Sequence, residues 1–264
     1  KEKTIEFITN EINNDTEQSP ANLIVPNTPY HLVRSEVMED KIIKFDELTY
    51  KHGEFGEIIW DGILVRLKLL ENFEIPVDEY ADYIKRLALE LSTFSHNNVL
   101  KTFGLTFENH SNNYYFVHEY TNDGDLRHYL RQKHSLSWRD KFEITRQVVN
   151  GLNFLHDERV VHTELHPYNI FVHDGIPKIA NLGNLGASKM YSNGNNSYSK
   201  YNPPDSLRKK YIRDKAKLNI YSLGVLMWEI AHNGVEPFCS NYHIIDETPL
   251  KFKKLYQKCW DNNP

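Results

Sequence analysis

His162-Thr163-Glu164-Leu165-His166-Pro167-Tyr168-Asn169 and, after a short interval, Asn181-Leu182-Gly183 are the two pieces of sequence that decide how this chain reads. Both are polar, and strong helical patterning lies on either side of them. Upstream, Ser137 followed by Asp140 has the form of a helix start. Phe142, Val148, Val149, Leu152 and Leu155 make an apolar stripe behind it. Downstream, residues 183–199 are rich in Gly, Asn and Ser and read as a loop. Beyond the loop, residues 220–231 are apolar nearly all round, the pattern of a buried helix.

Nearer the N-terminus the period changes. Glu57-Ile58-Ile59-Trp60 and Ile63-Leu64-Val65-Arg66-Leu67-Lys68-Leu69 read as strands joined by an Asp61-Gly62 turn. Residues 78–95 read as a helix, with Tyr80, Ile84, Leu87 and Leu91 at helical spacing. Tyr114-Tyr115-Phe116-Val117 reads as a further strand. Residues 1–45 are polar and lean acidic, the composition of an extension or linker, with Leu23-Ile24-Val25 as a docked segment within it.

The chain has 264 residues, enough for one large domain or two lobes, and 40% are hydrophobic, enough for a sizeable core. A net charge of -5 carries no nucleic-acid or membrane-surface signature. Cys239 and Cys259 are too few for a disulfide framework or a four-cysteine zinc site, which points to a reducing, cytoplasmic setting. No apolar run approaches a membrane span. The chain begins at Lys1 rather than Met, which is compatible with a fragment.

Several motifs, in order, carry a family resemblance. Gly53-Glu54-Phe55-Gly56 looks like a glycine-rich loop, and Val65-Arg66-Leu67-Lys68 like the strand that carries an ATP lysine. Glu119-Tyr120 looks like a hinge, His162 to Asn169 like a catalytic loop, and Asn181-Leu182-Gly183 like a metal-binding triplet. Pro203-Pro204-Asp205 looks like the end of an activation segment. Tyr221 to Ile230 looks like the central helix of a C-lobe, and Lys258-Cys259-Trp260 with Pro264 like a late C-lobe signature. Over roughly residues 46–264 the chain resembles a eukaryotic protein kinase of the tyrosine-kinase or tyrosine-kinase-like groups. The resemblance implies a bilobal α+β fold: a small antiparallel β-sheet with one helix in the N-lobe (46–119) and a mainly helical C-lobe (120–264). It also implies that the last C-lobe helix is missing, so that the lobe is truncated or reduced.

The same resemblance exposes the departures. Phosphoryl transfer relies on positioning and charge: metal ions on the phosphates, a lysine beside them and a carboxylate for the hydroxyl proton. Asn181 stands where the family has its metal-binding aspartate, and an amide oxygen is a weak ligand for Mg²⁺. Asn169 is retained at the other metal position. Glu164 replaces the catalytic aspartate, and its extra methylene moves the carboxylate by about 1 Å, a displacement that can cost ~10²-fold in rate. Thr163 replaces the arginine that would hold a phosphorylated activation loop, and His166 replaces a phosphate-contacting lysine.

The nucleotide side departs too. Lys68 is the ATP-lysine candidate, but Leu87 stands where its glutamate partner belongs, with Glu90 one turn later as a substitute. Lys51 replaces the first loop glycine, leaving Gly53 and Gly56. Strand alternation puts Arg66 on the same face as Lys68, where it would obstruct the adenine space. A second register stays open, with Arg66 as the lysine equivalent and Leu64 above the base. Phe171 takes the floor position, and His118 the position just before the hinge.

The expectation is a catalytically inactive pseudokinase domain, with no intact catalytic residue and no metal site. It would act as a scaffold or allosteric regulator on a protein partner, an active kinase or another signalling protein. No cofactor is expected, and ATP binding is left open. Two other readings remain: a nucleotide-binding switch without transfer, and a weak atypical kinase using Glu164 as base. The basic run from Arg208 to Lys217 is a candidate docking patch, and the tyrosines and serines of 191–201 are candidate modification sites.

Overall fold

The structure is a computed structural model that describes residues 41–50, 58–70, 77–133, 136–182, 199–204, 216–237 and 247–260. The glycine-rich loop with Lys51, Gly53 and Gly56, the segment 183–198, Asp205, most of the basic run, Cys239 and residues 1–40 lie outside these. The described residues divide into two compact units. One runs to Ser95 and resumes over Leu100–Tyr120; the other holds His96–Val99 and everything from Thr121 onward.

The first unit is built on a six-stranded sheet in the order β1-β5-β6-β4-β3-β2. Its strands are β1 (Ile42–Ile43), β2 (Thr49–Tyr50), β3 (Ile58–Trp60), β4 (Ile63–Leu69), β5 (Thr102–Glu108) and β6 (Asn113–Glu119). Asp61 and Gly62 both have positive φ, 48° and 76°, the geometry of a two-residue hairpin turn whose twist matches its strands. Every pairing is antiparallel except β1 on β5. That exception lies at the end of the segment read as a polar extension, to about residue 45. Ile43 is buried, and with Leu48, Ile58, Val65 and Val117 it makes the core of one sheet face, so residues 42–43 are drawn into the sheet by apolar burial. Helix α1 (Val77–Thr93) packs against β5 with Ile84, Leu87, Ala88 and Leu91 buried. Lys101 Nζ donates to the carbonyls of Ser92 (2.9 Å) and Phe94 (3.1 Å), satisfying acceptors that the end of α1 leaves open.

The second unit contains α2 (Leu126–Gln132), α3 (Trp138–Asp157), the hairpin β7 (Ile170–His173) and β8 (Ile176–Ile179), α4 (Ala216–Ala231) and α5 (Leu250–Trp260). Ser137 and Asp140 close a reciprocal capping box at the start of α3. Helix α4 is buried along most of its length and forms the centre of the unit. It begins at Ala216, four residues before the apolar run of 220–231. Helix α5, which carries Lys258-Cys259-Trp260, packs along it. No helix among the described residues is long and apolar enough to cross a membrane.

Candidate functional site

In the second unit the structure brings His162, His166, Asn169 and Asn181 together. The polar stretch leaves the end of α3, makes a short 3-10 turn over Pro167–Asn169 and enters β7; Asn181 follows β8. Asn169 ties the two ends of this hairpin. Its backbone oxygen accepts from Ala180 N at 2.8 Å, and its side chain meets Asn181.

The orientation of these amides follows from their partners. Asn169 Nδ2 donates to the backbone oxygen of Glu164 at 2.8 Å. A carbonyl can only accept, so the Asn169 amino group lies there and Oδ1 faces Asn181. Asn181 must then turn its own amino group toward Asn169, and its Nδ2 does donate to Asn169 Oδ1. The second Asn169 amino hydrogen goes to His166 Nε2 at 3.0 Å, which makes that nitrogen an acceptor. Asn181 sits at φ 61°, in the left-handed region that asparagine tolerates better than most residues.

His162 grips the same hairpin from the other side. Its Nε2 donates to Ala180 O at 2.8 Å and its Nδ1 accepts from Glu164 N at 3.2 Å, so this ring too is a neutral tautomer. Burial, with His162 and Arg127 nearby, pulls the His166 imidazole down to about 3. The Glu164 side chain is exposed at the edge of this group.

The sequence reading missed Asn219, on α4. Its Oδ1 accepts from His162 N (3.1 Å) and His156 Nε2 (3.0 Å), while its Nδ2 donates to His162 O. One buried amide thus satisfies both sides of the His162 backbone. A polar residue directly before the apolar run of 220–231 was the available signal. Also missed was a buried network in which Glu229 takes Arg127 Nε at 2.5 Å and Nη2 at 3.2 Å. Tyr201 OH donates to Glu229 and accepts from Arg127, and Arg127 Nη1 reaches Tyr168 OH at 2.9 Å. A lone carboxylate inside an apolar helix was the signal here, since such a group requires a partner. Burial opposes the Arg127 charge, but its bonds to Glu229 outweigh this and push the guanidinium above its ordinary range.

In the first unit, Arg66 and Lys68 do share a face of β4. They pair across β6 with His118 and Phe116, and His118 pairs onward with Thr102 on β5. His118 is buried, its Nδ1 shares a hydrogen bond with Thr102 Oγ1 at 3.1 Å, and burial with Lys68 and Arg66 close by pulls it down to about 3. Leu87 is buried on α1 while Glu90, one turn later, is exposed. The Glu119 side chain turns back to accept from Lys101 N at 2.7 Å, and the Glu119 N–H donates to Lys101 O at 3.0 Å, so both groups of this hinge candidate face Lys101; Tyr120 follows it.

A divalent ion held by Asn169 and Asn181 does not fit this arrangement. Two neutral amides supply no charge, and the Asn169 oxygen that would ligate the ion accepts the Asn181 amino group instead.

Comparison with known proteins bears on most of the chain. The family described as protein tyrosine and serine/threonine kinase matches residues 51–264. The leukocyte tyrosine kinase receptor of Mus musculus is 24% identical over 254 residues, covering 81% of this chain and 28% of the receptor. The receptor-interacting serine/threonine-protein kinase 1 of Homo sapiens is 27% identical over 222 residues, 70% of this chain and 32% of that protein. The dual specificity protein kinase zakA of Dictyostelium discoideum is 25% identical over 269 residues, 84% of this chain and 34% of that protein. The chain therefore spans about a third or less of the length of such relatives.

Proposed function

Because the chain belongs to the protein tyrosine and serine/threonine kinase family, we propose that it is a member that has lost metal-dependent phosphoryl transfer and works by binding another protein. Its role would be that of a cytoplasmic scaffold or allosteric regulator, with an active kinase or another signalling protein as partner. The observation that carries this reading is the amide pair at the metal position. When bound, Mg-ATP would supply the phosphoryl group and the charge that steadies its transfer. The residues here offer neither a carboxylate at 181 nor a free amide oxygen at 169. Glu164 is the one carboxylate of the catalytic stretch, and it is exposed.

The test is incubation of the purified domain with labelled ATP, Mg²⁺ and a generic protein substrate. Wild type should incorporate no more label than Lys68→Met. Incorporation by wild type that disappears in Lys68→Met would overturn the proposal and revive Glu164 as a base.

One observation favours a second reading, a nucleotide-sensing domain without transfer. Arg66 and Lys68 put two positive charges on one sheet face, a charge pattern suited to phosphate. Thermal stabilisation by ATP in EDTA would support it, with ligand at 100 times its Kd worth about 2.7 kcal/mol. No stabilisation in wild type, but stabilisation in Arg66→Ala, would instead identify Arg66 as an obstruction.

A further inference from the structure

The Asn181–Asn169 contact has a consequence for how the domain holds itself together. We infer that the Asn181 amino group takes the place of a bridging cation, clasping residues 180–182 to the 162–169 stretch in a metal-independent way. The inference shares its starting point, the amide at 181, with the proposed function, but it concerns the domain without nucleotide.

The clasp belongs to a chain of neutral groups. Asn219 on α4 holds the His162 backbone on both sides. His162 holds Ala180 O, Asn169 holds Ala180 N through its backbone oxygen, and the Asn169 side chain receives Asn181. The Asn169 amide cannot be reversed without losing its donations to Glu164 O and His166 Nε2. Its oxygen therefore faces residue 181 whatever stands there. An amino group satisfies that oxygen; a carboxylate would oppose it, oxygen to oxygen, unless a cation entered between them. Asparagine at 181 removes the need for the cation. The junction is then set in one geometry that neither Mg²⁺ nor its removal alters, and the surface it presents is constant.

The experiment compares wild type, Asn181→Asp and Asn181→Gly by thermal unfolding in EDTA and in millimolar Mg²⁺, without nucleotide. Glycine accepts the positive φ and removes the clasp; its looser unfolded chain adds up to about 1 kcal/mol to the melting shift but does not act on the local reading at Ala180. Wild type should melt at the same temperature in both solutions. Asn181→Gly should melt lower by about 3 °C, again in both. Asn181→Asp should lose a similar amount in EDTA and recover it in Mg²⁺. Hydrogen exchange at the Ala180 amide gives a local reading that does not require the aspartate variant to fold well. That amide should be equally protected in wild type with and without Mg²⁺, and about tenfold less protected in Asn181→Gly. Stabilisation of wild type by Mg²⁺ alone, or unchanged Ala180 protection in Asn181→Gly, would overturn the inference. Label transfer from ATP would sink the proposed function and leave the clasp standing; unchanged Ala180 protection in Asn181→Gly would sink the clasp and leave the proposed function standing.

Discussion

His118 and His166 are kept neutral chiefly by burial, and both are drawn down to about 3 from an ordinary value near 6.5. Positive neighbours add to the effect: Lys68 and Arg66 around His118, and Arg127 near His166. In the unfolded chain both rings take a proton as pH falls through about 6.5, while the folded rings do not until about 3. The unfolded state thus binds more protons between these values, and stability rises with pH there. Their contribution is complete above about pH 6.5 and is lost as pH falls toward 3. At pH 5 the loss is about 2 kcal/mol per histidine. Urea unfolding at neutral pH and at pH 5 should show this fall, and His118→Met should remove its own share, about 2 kcal/mol. An equal pH dependence in that variant would show that His118 does not carry its share. None of this was visible in the residue string, because a histidine's neighbours across a sheet are set by strand register.

Elements were the most legible level. Alternation located β3, β4 and β6, the Asp61-Gly62 turn joined the right strands, and the Ser137 cap began α3 where Asp140 could answer it. These are local effects, decided by residues within one turn or one hairpin. Strand β5, the β7–β8 hairpin and α5 were not singled out, since each takes its stability from what it packs on. Helix α5 shows the dependence. A Cβ on Gly224 of α4 would lie 2.6 Å from Cys259 Cβ and 2.8 Å from the Trp260 ring, closer than real side chains approach. Gly224→Ala should force α4 and α5 apart and cost about 2 kcal/mol, despite the higher helix propensity of alanine. Chemical denaturation would measure the loss, and a stabilised variant would mean that α5 is free to shift.

At the scale of the whole molecule, the second unit is drawn together by polar contacts between residues far apart in sequence. Arg127 and Glu229 are 102 positions apart, and the pair also engages Tyr201 and Tyr168. Breaking a buried pair from one side leaves an uncompensated charge, so Glu229→Gln should cost about 3 kcal/mol. The double variant Arg127→Met with Glu229→Met should lose less than the sum of its parts. Additive losses would show that the two residues act independently.

The sequence by itself settled the kinase-like fold and the inventory of altered groups: an amide at 181, a glutamate at 164, an arginine at 66. Motif order and periodicity suffice for that, since both are properties of the string. The tertiary structure alone decided what those groups do to one another. That the Asn181 amino group meets Asn169 Oδ1, and that Asn219 reaches back 57 positions to hold His162, depends on where β7, β8 and α4 are packed. A hydrogen bond needs its donor and acceptor within about 3 Å and suitably aligned. Only the packed chain brings distant residues to that separation.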